Sequence, residues 1–182
     1  YIQPNPTGFK VRGTASGQAN ASGANYIYIA IRRGPMRAPT SGTEVFNVQA
    51  YTGNSITGRF FNTGFDGDLS FCFNRTINSA PFYNIVIDRL RGNRRLFTGD
   101  TSAEVTDASL IDWFNKKSNN VYVHSNGTRT NNSSYTYWLP TFRRAPGFFD
   151  VVAYTGNTTS GRIVNHNLKV APELIITKTR SG

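Results

Sequence analysis

The 182-residue chain carries a formal net charge of +10, with 20 Lys and Arg against 10 Asp and Glu, yet only 16% of its residues are charged. With 38% hydrophobic and 13% aromatic residues it can bury a core, which excludes a disordered tail. A single cysteine, Cys72, excludes a disulfide framework within one chain, and every apolar run is far shorter than the roughly 18 residues of a membrane-spanning helix, so no membrane insertion is expected.

The chain opens at Tyr1 without a methionine and reads as a processed piece of something longer. Phe9-Lys-Val11 leads into a stretch rich in Asn, Ser and Gly. In Tyr26–Ile31 both alternating sides are apolar, the pattern of a central strand buried on two faces. Phe46, Val48 and Ala50 alternate with Asn47 and Gln49, a second strand pattern. Asp66-Gly-Asp68 reads as a turn before the apolar run Leu69–Phe73, which places Cys72 as a buried core thiol. Phe82–Ile87, Val121–His124 and Leu174–Thr177 are further short strand candidates. Turn signals punctuate them at Thr52-Gly-Asn54, Gly92-Asn93 and Asn126-Gly127. Thr106–Phe114 fits either one helical turn or a strand entered through Asp107. Many short strands with little helix predict an all-β, antiparallel β-sandwich or jelly roll.

A repeat organises the chain. Phe46-Asn-Val-Gln-Ala-Tyr-Thr-Gly-Asn54 returns as Phe149-Asp-Val-Val-Ala-Tyr-Thr-Gly-Asn157, an offset of 103 residues. The offset continues to Gly58-Arg59 and Gly161-Arg162, then to Asn62 and Asn165. Upstream, Tyr26-Ile-Tyr28 with Arg32-Arg33-Gly-Pro35 parallels Tyr135-Thr-Tyr137 with Arg143-Arg144-Ala-Pro146. Phe9–Val11 parallels Val121–Val123 in the same way. A unit of about a hundred residues is a whole domain and not a solenoid turn. The chain therefore divides as 1–62, the C-terminal part of one module; 63–165, a second module; and 166–182, the start of a following module or a terminal strand.

The chemistry of catalysis is scarce. His124 has no Cys or His partner nearby, and His166 falls in a turn where the first repeat carries Thr63. No zinc spacing, EF-hand, P-loop or dinucleotide fingerprint occurs, and no metal or cofactor is expected. Asp100, Glu104, Asp107 and Asp112 form a loose acidic group whose spacing alone gives no support to a paired-carboxylate glycosidase, and a polysaccharide depolymerase ranks last because acids are scarce. The chain is expected not to be an enzyme. The basic pairs Arg32–Arg33, Arg94–Arg95, Lys116–Lys117 and Arg143–Arg144 are scattered, so nucleic acid is not an expected partner. In both repeats the Arg-Arg-x-Pro step is placed to pair a carboxylate and cap a loop. Trp113, Tyr122, Tyr135 and Trp138 are the candidate surface residues. Flat aromatic faces suit the C–H side of a sugar ring, although filling the core is the simpler use for them.

The strings Phe142-Arg-Arg-Ala-Pro-Gly-Phe-Phe-Asp-Val-Val-Ala-Tyr-Thr-Gly156, Gly161-Arg-Ile-Val-Asn-His-Asn-Leu168 and Val170-Ala-Pro-Glu-Leu-Ile-Ile-Thr-Lys178 resemble a repeated module of uncharacterised phage proteins, often from marine phages. Asp88-Arg-Leu-Arg-Gly92 and Tyr26–Arg33 resemble other parts of it. Phe65-Asp-Gly-Asp68 departs from the family's usual Leu-Gly-x-Ala-Pro type of turn. The resemblance implies a concanavalin-like β-sandwich in a tail fibre or related virion appendage. It also implies partners that are copies of itself, often as trimers, and other virion proteins. A lectin-like module reading host-surface glycans and a capsid decoration protein are the alternatives.

Overall fold

A computed structural model describes residues 2–5, 8–11, 37–77, 84–92, 94–106, 120–123 and 127–180. The chain divides into two compact units, Tyr1–Pro35 and Met36–Gly182. In the first, β1 (Ile2–Asn5) and β2 (Gly8–Val11) pair antiparallel, Ile2 against Val11 and Asn5 against Gly8. The expected strand at Tyr26–Ile31 lies outside the described residues.

The second unit holds β3 (Phe46–Thr52), β4 (Arg59–Asn62), β5 (Leu69–Asn74), β6 (Ile85–Asp88), β7 (Arg94–Phe97), β8 (Val105–Thr106), β9 (Asn120–Val123) and β10 (Thr136–Phe142). Its one helical element among the described residues is a 3-10 turn, Gly42–Glu44, capped by the Ser41 hydroxyl. The protein is all-β with antiparallel sheets. Six strands form one sheet in the order β3-β10-β5-β6-β7-β8, and β4 pairs with β9 separately. Of the expected strands, Phe46–Ala50 falls in β3 and Val121–Val123 in β9, while the described end of Phe82–Ile87 falls in β6. Thr106 ends β8, and residues 107–119 lie outside the described set.

Strand β10 carries the sheet because it lies between β3 and β5. Its ladder with β3 is unbroken from Thr136–Thr52 to Phe142–Phe46. Against β5 the pairs Tyr137–Asn74 and Trp138–Phe73 are followed directly by Thr141–Ser70. Pro140 stands in this gap; it has no N–H to give a ladder. Ser70 Oγ donates to the Pro140 carbonyl at 3.2 Å and lies 2.5 Å from Thr141 Oγ1, tying the strands where the ladder lapses.

The core draws on both sheets: Tyr51, Cys72, Ile85, Ile87, Phe97, Tyr137 and Leu139 from the large one, and Phe61, Val121 and Val123 from the small one. Tyr51 packs on Phe61 at 4.4 Å and on Tyr137 at 5.1 Å between ring centroids. Burial of such side chains from water is the main stabilising term, about 1.5–3 kcal/mol for each large apolar residue. On β3 the structure inverts the usual sense of an alternating pattern. Phe46, Val48 and Ala50 do share one side, but it is the exposed side; Asn47, Gln49 and Tyr51 turn inward.

Past β10 the chain makes a short turn, with Ala145 bridged to Phe149, and then runs to residue 180 with no strand. The strand expected at Leu174–Thr177 is therefore absent. Its β-branched residues favour an extended backbone, but a strand needs a hydrogen-bonded neighbour, and Leu174, Ile175 and Ile176 stand exposed.

Candidate functional site

Two places gather polar or aromatic groups in a way that packing alone does not require. One is the outer face of the six-stranded sheet. The other is a pair of interlocked loops at its end, together with their counterpart in the repeat.

The outer face is aromatic. Side chains alternate along β10, so Tyr137 and Leu139 enter the core and Trp138 points away. Trp138 is 46% exposed, and the Arg75 guanidinium lies 4.8 Å from its ring centroid. Its register neighbour on β5 is Phe73, which stacks on Phe71 at 5.3 Å and 7°. Phe142 continues the stripe, 4.9 Å from Phe46 and 6.3 Å from Phe71. Tyr135 is partly buried against the core. The two candidates Tyr135 and Trp138 are thus three residues apart but are not brought together. Tyr122 lies in β9, with its side chain outside what is described, and Trp113 lies outside the described residues altogether.

The interlocked loops are residues 53–58, after β3, and residues 127–135, before β10. Tyr51 Oη donates to the Thr130 carbonyl at 2.5 Å, Tyr137 Oη to the Thr128 carbonyl at 2.7 Å, and Asn74 Nδ2 to that same carbonyl at 2.9 Å. The inner face of the sheet therefore holds the second loop by its carbonyls. Asn131, fully buried, then grips the first loop. Its Nδ2 donates to Asn54 Oδ1 and to the Ile56 carbonyl, both at 2.8 Å, and its own carbonyl accepts from Ser55 N at 2.8 Å. The approach is so close that a Cβ on Gly53 would fall 2.0 Å from the Asn132 carbonyl oxygen.

The repeat rebuilds the first of these loops. Ser55 and Thr158, 103 residues apart, both hold left-handed backbone, φ 54° and 58°. Gly58 and Gly161 do the same at φ 93° and 75°. Asn54 Oδ1 accepts from Ile56 N at 3.0 Å, and Asn157 Oδ1 from Thr159 N at 3.1 Å. Arg59 donates to the Thr52 carbonyl with its guanidinium 4.9 Å from the Tyr51 ring; Arg162 donates to the Thr155 carbonyl and lies 5.6 Å from the Tyr154 ring. Asn and Gly at fixed offsets favour such local turns. The environments differ. Tyr51 is 8% exposed, whereas Tyr154 is 56% exposed.

Several of the described titratable groups are held in contacts that brace the fold. Cys72 is fully buried beside Tyr51 Oη, at 3.7 Å, and burial pushes its thiol up to about 12. Asp68 accepts from Arg144 N at 2.8 Å and pairs with Arg89 at 3.3 Å; Asp88 pairs with Arg91. Arg144 Nε reaches Asp150 Oδ1 at 2.5 Å, so the Arg143–Arg144 step does pair a carboxylate and brace a loop. Of the loose acidic group, Asp100 accepts from Ser102 N, and Glu104 binds Arg94 and Arg180; Asp107 and Asp112 lie outside the described residues. His166 is exposed in its turn and accepts from Leu168 N; His124 is outside the described set. Among the described residues no group of His, Cys, Asp and Glu is arranged to hold a metal ion, and no helix is long and apolar enough to cross a membrane.

Sequence reasoning missed Asn131 and Arg75, because their partners are distant in the chain. The Asn-rich run at 131–132 was the only local signal. Compared with protein-family models, with curated proteins and with solved structures, the chain matches none.

Proposed function

We propose that this chain is a non-catalytic structural protein of a phage virion, a stretch of tail fibre or related appendage built from tandem β-sandwich modules. What carries this reading is the loop geometry built twice, 103 residues apart, once locked against the turn 127–135 and once in an exposed segment. A protein whose work is to be strung in series needs such a recurring element. The resemblance of Phe142–Lys178 to a phage module of concanavalin-like type points the same way. The mechanism is packing: modules follow one another, associate with copies of themselves, and turn their outer faces and loops toward other virion proteins or the host surface.

Antibody labelling of purified particles tests the location. Label along tail appendages is the expected result. Label spread over the capsid shell replaces the fibre reading with a decoration protein, and label on no particle component rejects both.

Trp138 favours one further role, recognition of host-surface glycans in the manner of a lectin. A half-exposed indole beside Phe73, with the Arg75 guanidinium stacked over its ring, joins an apolar surface to hydrogen-bond donors that could meet a sugar's hydroxyls. A glycan array probed with the protein and with Trp138→Ala tests this: binding that the substitution abolishes supports it, and no binding to any glycan removes it.

A further inference from the structure

The segment from Phe149 to Arg180 is anomalous. Tyr154, Ile163, Val170, Leu174, Ile175 and Ile176 all lie exposed on it, Ile163 at 84%. A soluble chain rarely leaves so much apolar surface uncovered without a partner to cover it. The first repeat says what the cover looks like. There, the same sequence is β3, its loop and β4. Strand β10 pairs along β3, the turn 127–135 locks the loop, and β9 pairs with β4.

The chain's own β10 already has β3 on one side and β5 on the other. One other stretch of the sequence matches it: Tyr26-Ile-Tyr28 through Arg32-Arg33-Gly-Pro35, preceded by Phe9–Val11 in the place of β9. We infer that the 149–180 segment is an acceptor for the N-terminal segment of a second copy of this chain, whose Tyr26–Pro35 adds as the missing β10. The segment holds no strand on its own, so the two segments form their strands together: main-chain pairing between them supplies the affinity, and alternate side chains supply the register. Donor and acceptor are different segments, so the contact either closes as a reciprocal two-fold exchange or runs head-to-tail into rings or filaments. This inference requires no part of the virion assignment.

Gly156 gives it independent support. It is the counterpart of Gly53, which must lack a side chain because the Asn132 backbone presses on it. A Cβ on Gly156 would meet nothing within 4 Å, and its φ lies outside the left-handed range. Nothing local requires glycine there. A docked loop like 127–135 would.

The experiment is sedimentation velocity of the full chain across a concentration series, with Gly156→Val and Trp138→Ala alongside. The wild type is expected to associate increasingly with concentration, and a synthetic peptide of residues 20–35 to reverse that association. Gly156→Val is expected to remain monomeric with an unchanged melting temperature, since its side chain points into open space. A wild type that stays monomeric overturns the inference, as does a Gly156→Val variant that assembles equally well. Association lost in Trp138→Ala but kept in Gly156→Val places the interface on the outer sheet face and likewise overturns it.

Discussion

Tyr51 Oη donates a 2.5 Å hydrogen bond to the carbonyl of Thr130, a residue 79 positions away. Its repeat counterpart, Tyr154, is exposed and holds only the local Arg162 contact among those described. The same residue type in the same local motif thus has two different energetic roles. Tyr51→Phe keeps the ring in the core but removes a buried donor, and about 1–2 kcal/mol of stability is expected to go with it. Tyr154→Phe is expected to change stability by less than about 0.5 kcal/mol. Urea unfolding of both variants, followed by tryptophan fluorescence, measures the difference. Equal effects at the two sites would mean that the loop lock contributes nothing.

Neighbours on β10 give a second contrast. Tyr137 is fully buried, and its hydroxyl accepts from Asn132 N at 3.0 Å while donating to Thr128. Tyr137→Ala is expected to cost about 3–5 kcal/mol, through lost packing and a residual cavity. Trp138→Ala removes a half-exposed ring and the Arg75 stacking, worth about 0.5–1 kcal/mol. Thermal melts of the two variants test the assignment of faces; the reverse ranking would refute it.

That assignment was not legible in the sequence. Period two marked β3 and β9 as strands, and the turn at Asp66–Asp68 located the start of β5. Which side of β3 faces inward was not readable, because Tyr51 enters the core while Phe46 and Val48 do not. Hydrophobicity alone ranks these residues alike. The burial of Cys72 was readable from its apolar surroundings. Asn131 and Arg75 were not, since each acts on a residue more than sixty positions away. Leu174–Thr177 carries strand-forming residues without forming a strand, because propensity cannot supply a neighbour. The repeat itself was fully legible, and so was the Gly-Arg step whose geometry recurs.

Alkaline pH should weaken the core in a defined window. Burial raises the Cys72 thiol from 9.0 to about 12 and the Tyr137 phenol from 10.0 to about 12, and it raises Tyr51 further. The folded state keeps these protons where the unfolded chain has already released them. Stability is therefore complete below about pH 9 and falls as pH rises toward 12. Urea midpoints measured at pH 8, 10 and 11 are expected to decline steadily. Cys72→Ala should flatten the part of the decline that begins near pH 9. The native thiol should also resist alkylation at pH 8 until the protein is unfolded. A thiol that reacts at once in the native protein would place Cys72 outside the core.

Acid should free the C-terminal end of the chain. Glu104 accepts from Arg180 Nε at 2.9 Å and Nη2 at 2.8 Å and from Arg94 Nη1 at 2.7 Å, while its own N–H donates to the Arg180 carbonyl. The hydrogen bond from Arg180, against the opposing effect of burial and with help from Arg94, holds this carboxyl at about 2 instead of its ordinary 4.5. A carboxylate depressed in the folded state contributes stability above its unfolded value and loses it as pH falls through the folded one. The clamp is thus intact above about pH 4.5 and opens as pH approaches 2. Arg180 Nε–H, followed by NMR, is expected to give a protected signal at neutral pH that fades across this window. In Glu104→Gln the acceptor charge is gone, and the signal should be weakened at every pH with no acid transition. The effect belongs to an ion pair near the surface, so raised salt should shift the transition toward higher pH. A wild-type signal that persists unchanged at pH 2, or a transition that survives in Glu104→Gln, would assign the anchoring of the segment to other contacts.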